Sequence, residues 1–312
     1  MPEIVTLTMN PALDIATSTE VVIPTEKMRC GSPRYDPGGG GINVARVVKT
    51  LGGAAFAVFP AGGPSGQSLE GLLARQGVPH IRIPVEGVTR ESFTVDEQRS
   101  GQQYRFVLPG PSLIETEQRT CLENLAGYLA GARFLVASGS LPPGVRADFF
   151  QDVADLAAGQ GVRFILDTSG EALRLTRRGV YLLKPSVREL RECVGRELSS
   201  EAEQIQAARD LITEKRAEVV VVSLGAKGAL LVTERRYERF APIEVPIRSA
   251  VGAGDSMVAA IALGLVRGME LQQAVRFGMA AGAATLMTPG TELCRRDDVE
   301  KLYLEQSPNG NT

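Results

Sequence analysis

Short apolar runs alternate with longer segments of helical periodicity along most of the chain. Ile4–Thr8, Ala55–Phe59, Phe134–Ser138, Phe164–Asp167, Tyr181–Lys184 and Val219–Ser223 are rich in Val, Ile, Leu or Phe and have the length of strands. Ile42–Leu51, Thr116–Ala130, Asp148–Gly159 and Ala202–Glu214 carry apolar residues at helical spacing. Runs that are apolar throughout, separated by helices, predict an α/β fold with a mostly parallel sheet covered on both faces.

Two regions break that rhythm. From about Ile15 to Tyr35 polar and apolar residues alternate with no helix signal, and from about Thr89 to Leu108 the chain reads as a hairpin. Its arms are Ser92–Gln98 and Gln102–Leu108, turned at Arg99-Ser100-Gly101. The two segments, about 15–37 and 88–108, predict a small β-sheet set apart from the main one. Such a sheet could be a lid over a site, a surface for a second copy, or a plain edge insertion. Beyond Val219, the runs Leu230–Thr233 and Arg239–Ala241 predict strands joined by tight turns. Two apolar helices, Gly254–Arg267 and Leu271–Met287, follow. No repeat or linker divides the chain, so residues 1–312 read as a single domain, with Ser307–Thr312 as a frayed polar end.

The 312 residues are 44% hydrophobic, enough for a sizeable core. No uncharged apolar stretch reaches the length of about 18 residues that a membrane helix needs. Met1 to Asn10 lacks the basic and small-residue features of a secretory signal, so a cytoplasmic protein is expected. Cys30, Cys121, Cys193 and Cys294 lie far apart with no Cys-x-x-Cys pair, which argues against a disulfide scaffold or zinc knuckle. One histidine, His80, excludes a histidine-rich metal site, and no serine-elbow motif is present to partner it. Acid–base chemistry therefore falls to carboxylates, lysines or tyrosines. With 34 basic and 36 acidic residues well mixed, no patch suits nucleic acid or an anionic membrane.

Two glycine-rich clusters stand before helices. In Pro37-Gly38-Gly39-Gly40-Gly41-Ile42-Asn43 the backbone can approach a ligand closely, and Asn43 could cap the helix or face that ligand. The spacing is neither the dinucleotide-binding Gly-x-Gly-x-x-Gly nor the Walker P-loop. In Val251-Gly252-Ala253-Gly254-Asp255-Ser256, three small residues can aim successive amides at one point. That suits the charge of a transferring phosphoryl group, with Asp255 placed to take a proton from an attacking hydroxyl. Asp255 could instead be an N-cap worth about 1 kcal/mol. Ser223-Leu224-Gly225-Ala226-Lys227-Gly228 reads either as a turn around nucleotide phosphates or as a simple hairpin turn. Lys184-Pro185-Ser186-Val187-Arg188-Glu189 enters a helix from a strand end, where Lys184 could meet a phosphate and Glu189 could hold Mg²⁺ through water.

With these clusters in order, the chain resembles the PfkB-type, ribokinase-like carbohydrate kinases over essentially its whole length. Thr6-Leu7-Thr8-Met9-Asn10-Pro11-Ala12-Leu13-Asp14 and Ser138-Gly139-Ser140-Leu141-Pro142-Pro143-Gly144 carry the likeness together with the two glycine clusters. It is most similar to the 6-phosphofructokinase branch, since related 1-phosphofructokinases and tagatose-6-phosphate kinases generally have lysine at Gly40. Lys27-Met28-Arg29-Cys30, Tyr104-Arg105-Phe106 and Arg276-Phe277-Gly278 point the same way.

The resemblance implies ATP-dependent phosphorylation of fructose 6-phosphate at its C1 hydroxyl, with Asp255 as base and Gly252, Ala253 and Gly254 as the anion hole. It implies sugar contacts from Asp14, Gly39, Gly40 and Asn43, with Lys27 and Arg90 neutralising the sugar's phosphate and Ser140 on the same substrate face. Lys184, Ser186, Ser223, Gly225, Gly228 and Ala283 would line the ATP site. Mg²⁺ would lie near Glu189, K⁺ near Ser249, Val251 and Gly290, and a homodimer would form through the lid sheet. Three departures stand out: Ser186 where the family has Asn, Ala250 where Thr is usual, and Thr288 and Glu292 where Asn and Arg are frequent. The competing readings are a kinase for a related ketose phosphate and a sugar-phosphate sensor without turnover.

Overall fold

The computed structural model describes residues 2–306, so the expected frayed end at Ser307–Thr312 lies outside the described residues. In chain order the strands are β1 (Ile4–Leu7), β2 (Ala12–Thr19), β3 (Arg34–Gly38), β4 (Ala55–Ala61), β5 (His80–Pro84), β6 (Arg90–Glu97) and β7 (Gln103–Val107). They continue with β8 (Phe134–Ser138), β9 (Arg163–Asp167), β10 (Val180–Leu183), β11 (Ala217–Ser223), β12 (Ala229–Thr233) and β13 (Tyr237–Phe240).

Nine strands form one sheet in the order β13-β12-β11-β10-β9-β8-β1-β4-β5. The seven from β11 to β5 are parallel, and β12 and β13 close one edge antiparallel. The strands read as unbroken apolar runs because both faces are covered. Ile4, Phe134, Val136, Ile165 and Val221 pack with helices Gly40–Thr50, Ala253–Val266 and Leu271–Leu286. Val5, Leu135, Ala137, Leu166 and Val222 point the other way, toward helices Glu115–Tyr128, Phe149–Gly159 and Glu201–Thr213. Helix Ala253–Val266 is apolar on all sides after its first turn, and Ser256 to Leu265 are all buried.

Every strand and helix expected from the hydrophobic pattern is present, with boundaries shifted by a few residues. Helix Gly63–Arg75 gave no clear pattern, because its buried Leu69 and Leu73 stand among glycines and polar residues.

The small sheet is separate, with order β3-β2-β6-β7. The β6–β7 hairpin matches expectation, whereas the parallel pairing of β2 with β6 does not follow from periodicity. That pairing sets Ala12 opposite Arg90 and Asp14 opposite Ser92. It gathers chemistry from two distant segments onto one face.

The main sheet reverses its order at β1, which lies between β4 and β8. Connections leave in opposite directions there, so a crevice opens beyond the carboxyl ends of the strands. The carboxyl ends of β8 and β9 deliver Ser138 and Asp167 to it, and Lys184 follows directly on β10.

Candidate active site

Two cavities meet at the start of helix Ala253–Val266. One, of about 230 Å³, is lined by Asp14, Arg90, Ser92 and Arg105 of the small sheet, by Gly39, Gly40 and Asn43, and by Gly252 and Asp255. The other, of about 660 Å³, is lined by Ser186, Ser223, Gly225, Gly228, Ala250, Ala253, Gly254 and Ala283. Ile243, Val245, Met257, Met279 and Leu286 give it an apolar wall. The amide run from Gly252 to Gly254 thus faces both.

Gly252 has φ 75°, in the left-handed region, and is the N-cap of this helix. The first intrahelical bond there is Ser256 N to Gly252 O at 2.8 Å, so the amides before it have no partner within the helix. Asp255 is therefore in the first turn and is not the cap. Its carboxylate instead accepts Asn43 Nδ2 at Oδ2 (3.0 Å) and Ser138 Oγ at Oδ1 (3.1 Å). Asn43 likewise does not cap its helix, whose N-cap is Gly39 at φ 109°.

Behind Asp255 lies a second charged layer. Ser138 Oγ is also 3.4 Å from Asp167 Oδ2, and Asp167 Oδ1 is 3.0 Å from Lys184 Nζ. Burial pushes the Asp167 carboxyl up to about 6, against the pull of Lys184. Burial works against the Lys184 ammonium as well, but Asp167, Glu189 and Asp255 together outweigh it and hold the lysine above its usual value. A Cβ on Gly254 would stand 3.6 Å from Lys184 Nζ, which puts the ammonium directly beside the amide run.

In the smaller cavity, burial lifts the Asp14 carboxyl to about 6, although Arg90, Arg46 and Arg105 all pull it down. Arg90 donates Nη2 to Asn10 O (3.0 Å), and its Nε is buried without a partner. At Gly40, a Cβ would come within 2.3 Å of Ser138 Oγ and 2.6 Å of the Ser138 carbonyl carbon. A side chain there, lysine included, would require the glycine run or the end of β8 to shift.

Ser186 and Glu189 form a reciprocal capping box: Ser186 N donates to Glu189 Oε2 (2.7 Å), and Glu189 N to Ser186 Oγ (3.2 Å). Serine caps as well as asparagine, so this departure preserves the local fold. The Ser223–Gly228 segment joins β11 to antiparallel β12, as the hairpin reading expects, and its Ser223, Gly225, Ala226 and Gly228 line the larger cavity. Ser249 Oγ donates to Gly290 O (2.7 Å), and Val251 N donates to Ser249 Oγ (3.2 Å), which ties those three residues together. Thr288 is turned inward, its Oγ1 donating to Thr285 O at 2.7 Å, while Glu292 is paired with Arg34 and Arg295.

Two expected residues lie elsewhere. Lys27 sits in the exposed segment between β2 and β3, outside the lining of the small cavity. Ser140 is exposed and accepts Asn10 Nδ2 at 3.1 Å. Sequence reasoning missed Ser92, Arg105, Ser138 and Asp167 as site residues. Ser138 and Asp167 carried a usable signal, as polar residues ending apolar strands at the crevice side. His80 plays no part here; its Nδ1 is 2.7 Å from Val78 O on the sheet edge.

A small cavity lined by charged and polar side chains and a larger, partly apolar one, meeting at a line of free amides and a braced carboxylate, define a small-molecule phosphotransferase fold and site. The chain belongs to the pfkB family of carbohydrate kinases, whose model matches residues 7–298. It is 62% identical to ATP-dependent 6-phosphofructokinase isozyme 2 of Mycobacterium tuberculosis over 302 residues, covering 97% of this chain and 89% of that one. Phosphofructokinase-2 from Escherichia coli, solved in complex with potassium, superposes with a TM-score of 0.93 at 44% identity, covering 97% of this chain and 98% of that one. The same enzyme in complex with fructose-6-phosphate gives a TM-score of 0.91, with the same identity and coverage.

Proposed function

We propose that this chain is an ATP-dependent 6-phosphofructokinase, moving the γ-phosphoryl group of ATP to the C1 hydroxyl of fructose 6-phosphate. The observation that carries the mechanism is the position of Asp255 where the two cavities meet, braced by Asn43 and Ser138. The identity to relatives of that name supports the choice of acceptor.

Fructose 6-phosphate occupies the small cavity, its hydroxyls on Asp14 and Asn43 and the backbone at Gly39 and Gly40. Arg90 and Arg105, both lining that cavity, neutralise its phosphate. The nucleotide takes the larger cavity, its base against Ile243, Val245 and Ala283 and its phosphates along Gly225, Gly228 and Lys184. Asp255 takes the C1 hydroxyl proton as the oxygen attacks. The amides of Gly252, Ala253 and Gly254, with Lys184 beside them, receive the charge on the phosphoryl oxygens.

The donor set also suits two cations. Mg²⁺ prefers one or two carboxylates plus substrate phosphates, and Glu189 has one oxygen free of the capping box to hold it through water. It supplies charge neutralisation at the phosphates. K⁺ would be held by backbone oxygens of Ser249, Val251 and Gly290, where the Gly290 carbonyl retains a second lone pair.

The small sheet is the proposed dimer interface. Tyr35, Phe106, Val107 and Leu108 leave large apolar surface exposed around it. Lys27, exposed and outside its own cavity, would then serve the sugar phosphate held by the second copy. No helix among the described residues is long and apolar enough to cross a membrane. The four unpaired cysteines favour a reducing cytoplasm.

The test is ADP formation with ATP and, in turn, fructose 6-phosphate, fructose 1-phosphate, tagatose 6-phosphate and unphosphorylated sugars, with and without K⁺. The highest kcat/KM is expected for fructose 6-phosphate. A preference for fructose 1-phosphate or tagatose 6-phosphate would move the acceptor, and sugar binding without ADP release would make the protein a sensor.

A further inference from the structure

Arg46 projects from helix Gly40–Thr50 into the protein and is only 8% exposed. Every nitrogen of its guanidinium is engaged. Nη1 donates to Asn43 Oδ1 (3.0 Å) and Pro37 O (2.9 Å), Nη2 to Asp36 Oδ1 (3.1 Å), and Nε to Gln76 Oε1 (2.9 Å). Asp36, 2% exposed, also accepts Thr291 Oγ1 at 2.7 Å. A buried ion pair of this kind roughly breaks even against apolar packing, so stability alone does not account for it.

What the pair does is orient an amide. The two ends of an asparagine side chain have nearly the same shape but opposite hydrogen-bonding character, and arginine can only donate. Facing Arg46, Asn43 must present its oxygen. Its Nδ2 is thereby turned to Asp255 Oδ2, 3.0 Å away. With the amide reversed, Oδ1 would face the carboxylate and repel it.

We infer that Arg46 is a positioning residue for phosphoryl transfer: it locks Asn43 in the orientation that donates to Asp255, and so sets the direction in which that carboxylate meets the acceptor hydroxyl. The inference rests on Asp255 being the base. The same guanidinium holds the Pro37 carbonyl, at the head of the glycine run whose Gly39 and Gly40 line the sugar cavity. Acceptor and base are therefore referenced to one rigid group. A lysine would keep the charge beside Asp36 but lacks the planar fork that reaches four acceptors at once.

The test is a double-mutant cycle on kcat. Displacing a catalytic group by about 1 Å can cost about 100-fold in rate, so Arg46→Lys is expected to lower kcat by about 10- to 100-fold. KM for ATP, whose cavity lies on other elements, is expected to stay within about twofold on the same grounds. In an Asn43→Ala background the same change should lower kcat by a clearly smaller factor, because the link to Asp255 is already gone and only the hold on the Pro37 carbonyl is left to break. An equal fold-loss in both backgrounds, or no loss in the single variant, overturns the inference. Should Arg46→Lys be unfolded at the assay temperature, Gln76→Met replaces it in the same cycle. Gln76 is an exposed residue whose side chain holds Arg46 Nε without carrying charge. Asp255→Asn separates the two levels: if it turns over normally the base assignment fails, whereas a dead Asp255→Asn with an additive cycle removes only the role of Arg46.

Discussion

Ser138 donates its hydroxyl to Asp255 Oδ1 over 3.1 Å while lying 3.4 Å from Asp167 Oδ2. One hydroxyl proton thus stands between two carboxylates and can serve one at a time. Serving Asp255, it joins Asn43 in fixing the orientation of that carboxylate. Asp255→Asn preserves the shape and removes the basicity. Loss of general base catalysis should lower kcat by about 10²- to 10⁴-fold. Nucleotide affinity measured by calorimetry should be unaltered, because the larger cavity is intact. Turnover near the parent rate would refute Asp255 as base.

Lys184 and Asp167 form a buried ion pair at 3.0 Å. Removing one partner strands the other, at a cost of about 3–5 kcal/mol. Lys184→Met should therefore lower the melting temperature at pH 7 and raise KM for ATP. Adding Asp167→Asn should restore most of the stability, since no unpaired charge is left, but not the KM. Thermal melts and ATP titrations of the single and double variants decide it; a double variant as unstable as Lys184→Met would count against the pairing.

Asp14 is costly to bury as a charge in the smaller cavity. Burial raises its folded pKa to about 6 from 3.8. Below 3.8 the group is protonated whether folded or unfolded, and its contribution to stability is fully present. As pH rises toward and through about 6, the unfolded chain releases the proton more readily, and that contribution is lost. Asp14→Asn should hence stabilise the protein more at pH 7.5 than at pH 4.5, both pH values being set by that window. It should also raise KM for fructose 6-phosphate. Melting curves at the two pH values would show a constant difference if burial of the charge were immaterial.

Gly40 is the tightest point between the glycine run and β8. Its substitution by Ala would force a Cβ to within 2.6 Å of the Ser138 backbone. Helix Gly40–Thr50 would have to withdraw, carrying Asn43 away from Asp255. Gly40→Ala is expected to lose kcat by about 100-fold or more, on the scale of a 1 Å displacement. Circular dichroism should stay native; an active Gly40→Ala would mean that β8 yields instead.

Much of this protein is written locally. Apolar strand runs, helix periodicity and the hairpin around Arg99-Ser100-Gly101 follow from period-2 and period-3.6 patterns that each segment carries by itself. The small residues before Asp255 announce an amide run for the same reason: a helix start needs only its own backbone. Other features depend on which segments become neighbours. The parallel pairing of β2 with β6 brings Asp14 beside Ser92, and the strand order around β1 opens the crevice. Where helix Ala253–Val266 begins excludes Asp255 as its N-cap, but what holds its carboxylate comes from Asn43 and Ser138, 212 and 117 residues away in the chain. Lys27, by contrast, carries a family pattern, yet the fold leaves it outside its own cavity. Hydrogen bonds and ion pairs between distant side chains leave no period in the sequence, because periodicity records only which face a residue turns inward. What it meets there is decided by packing.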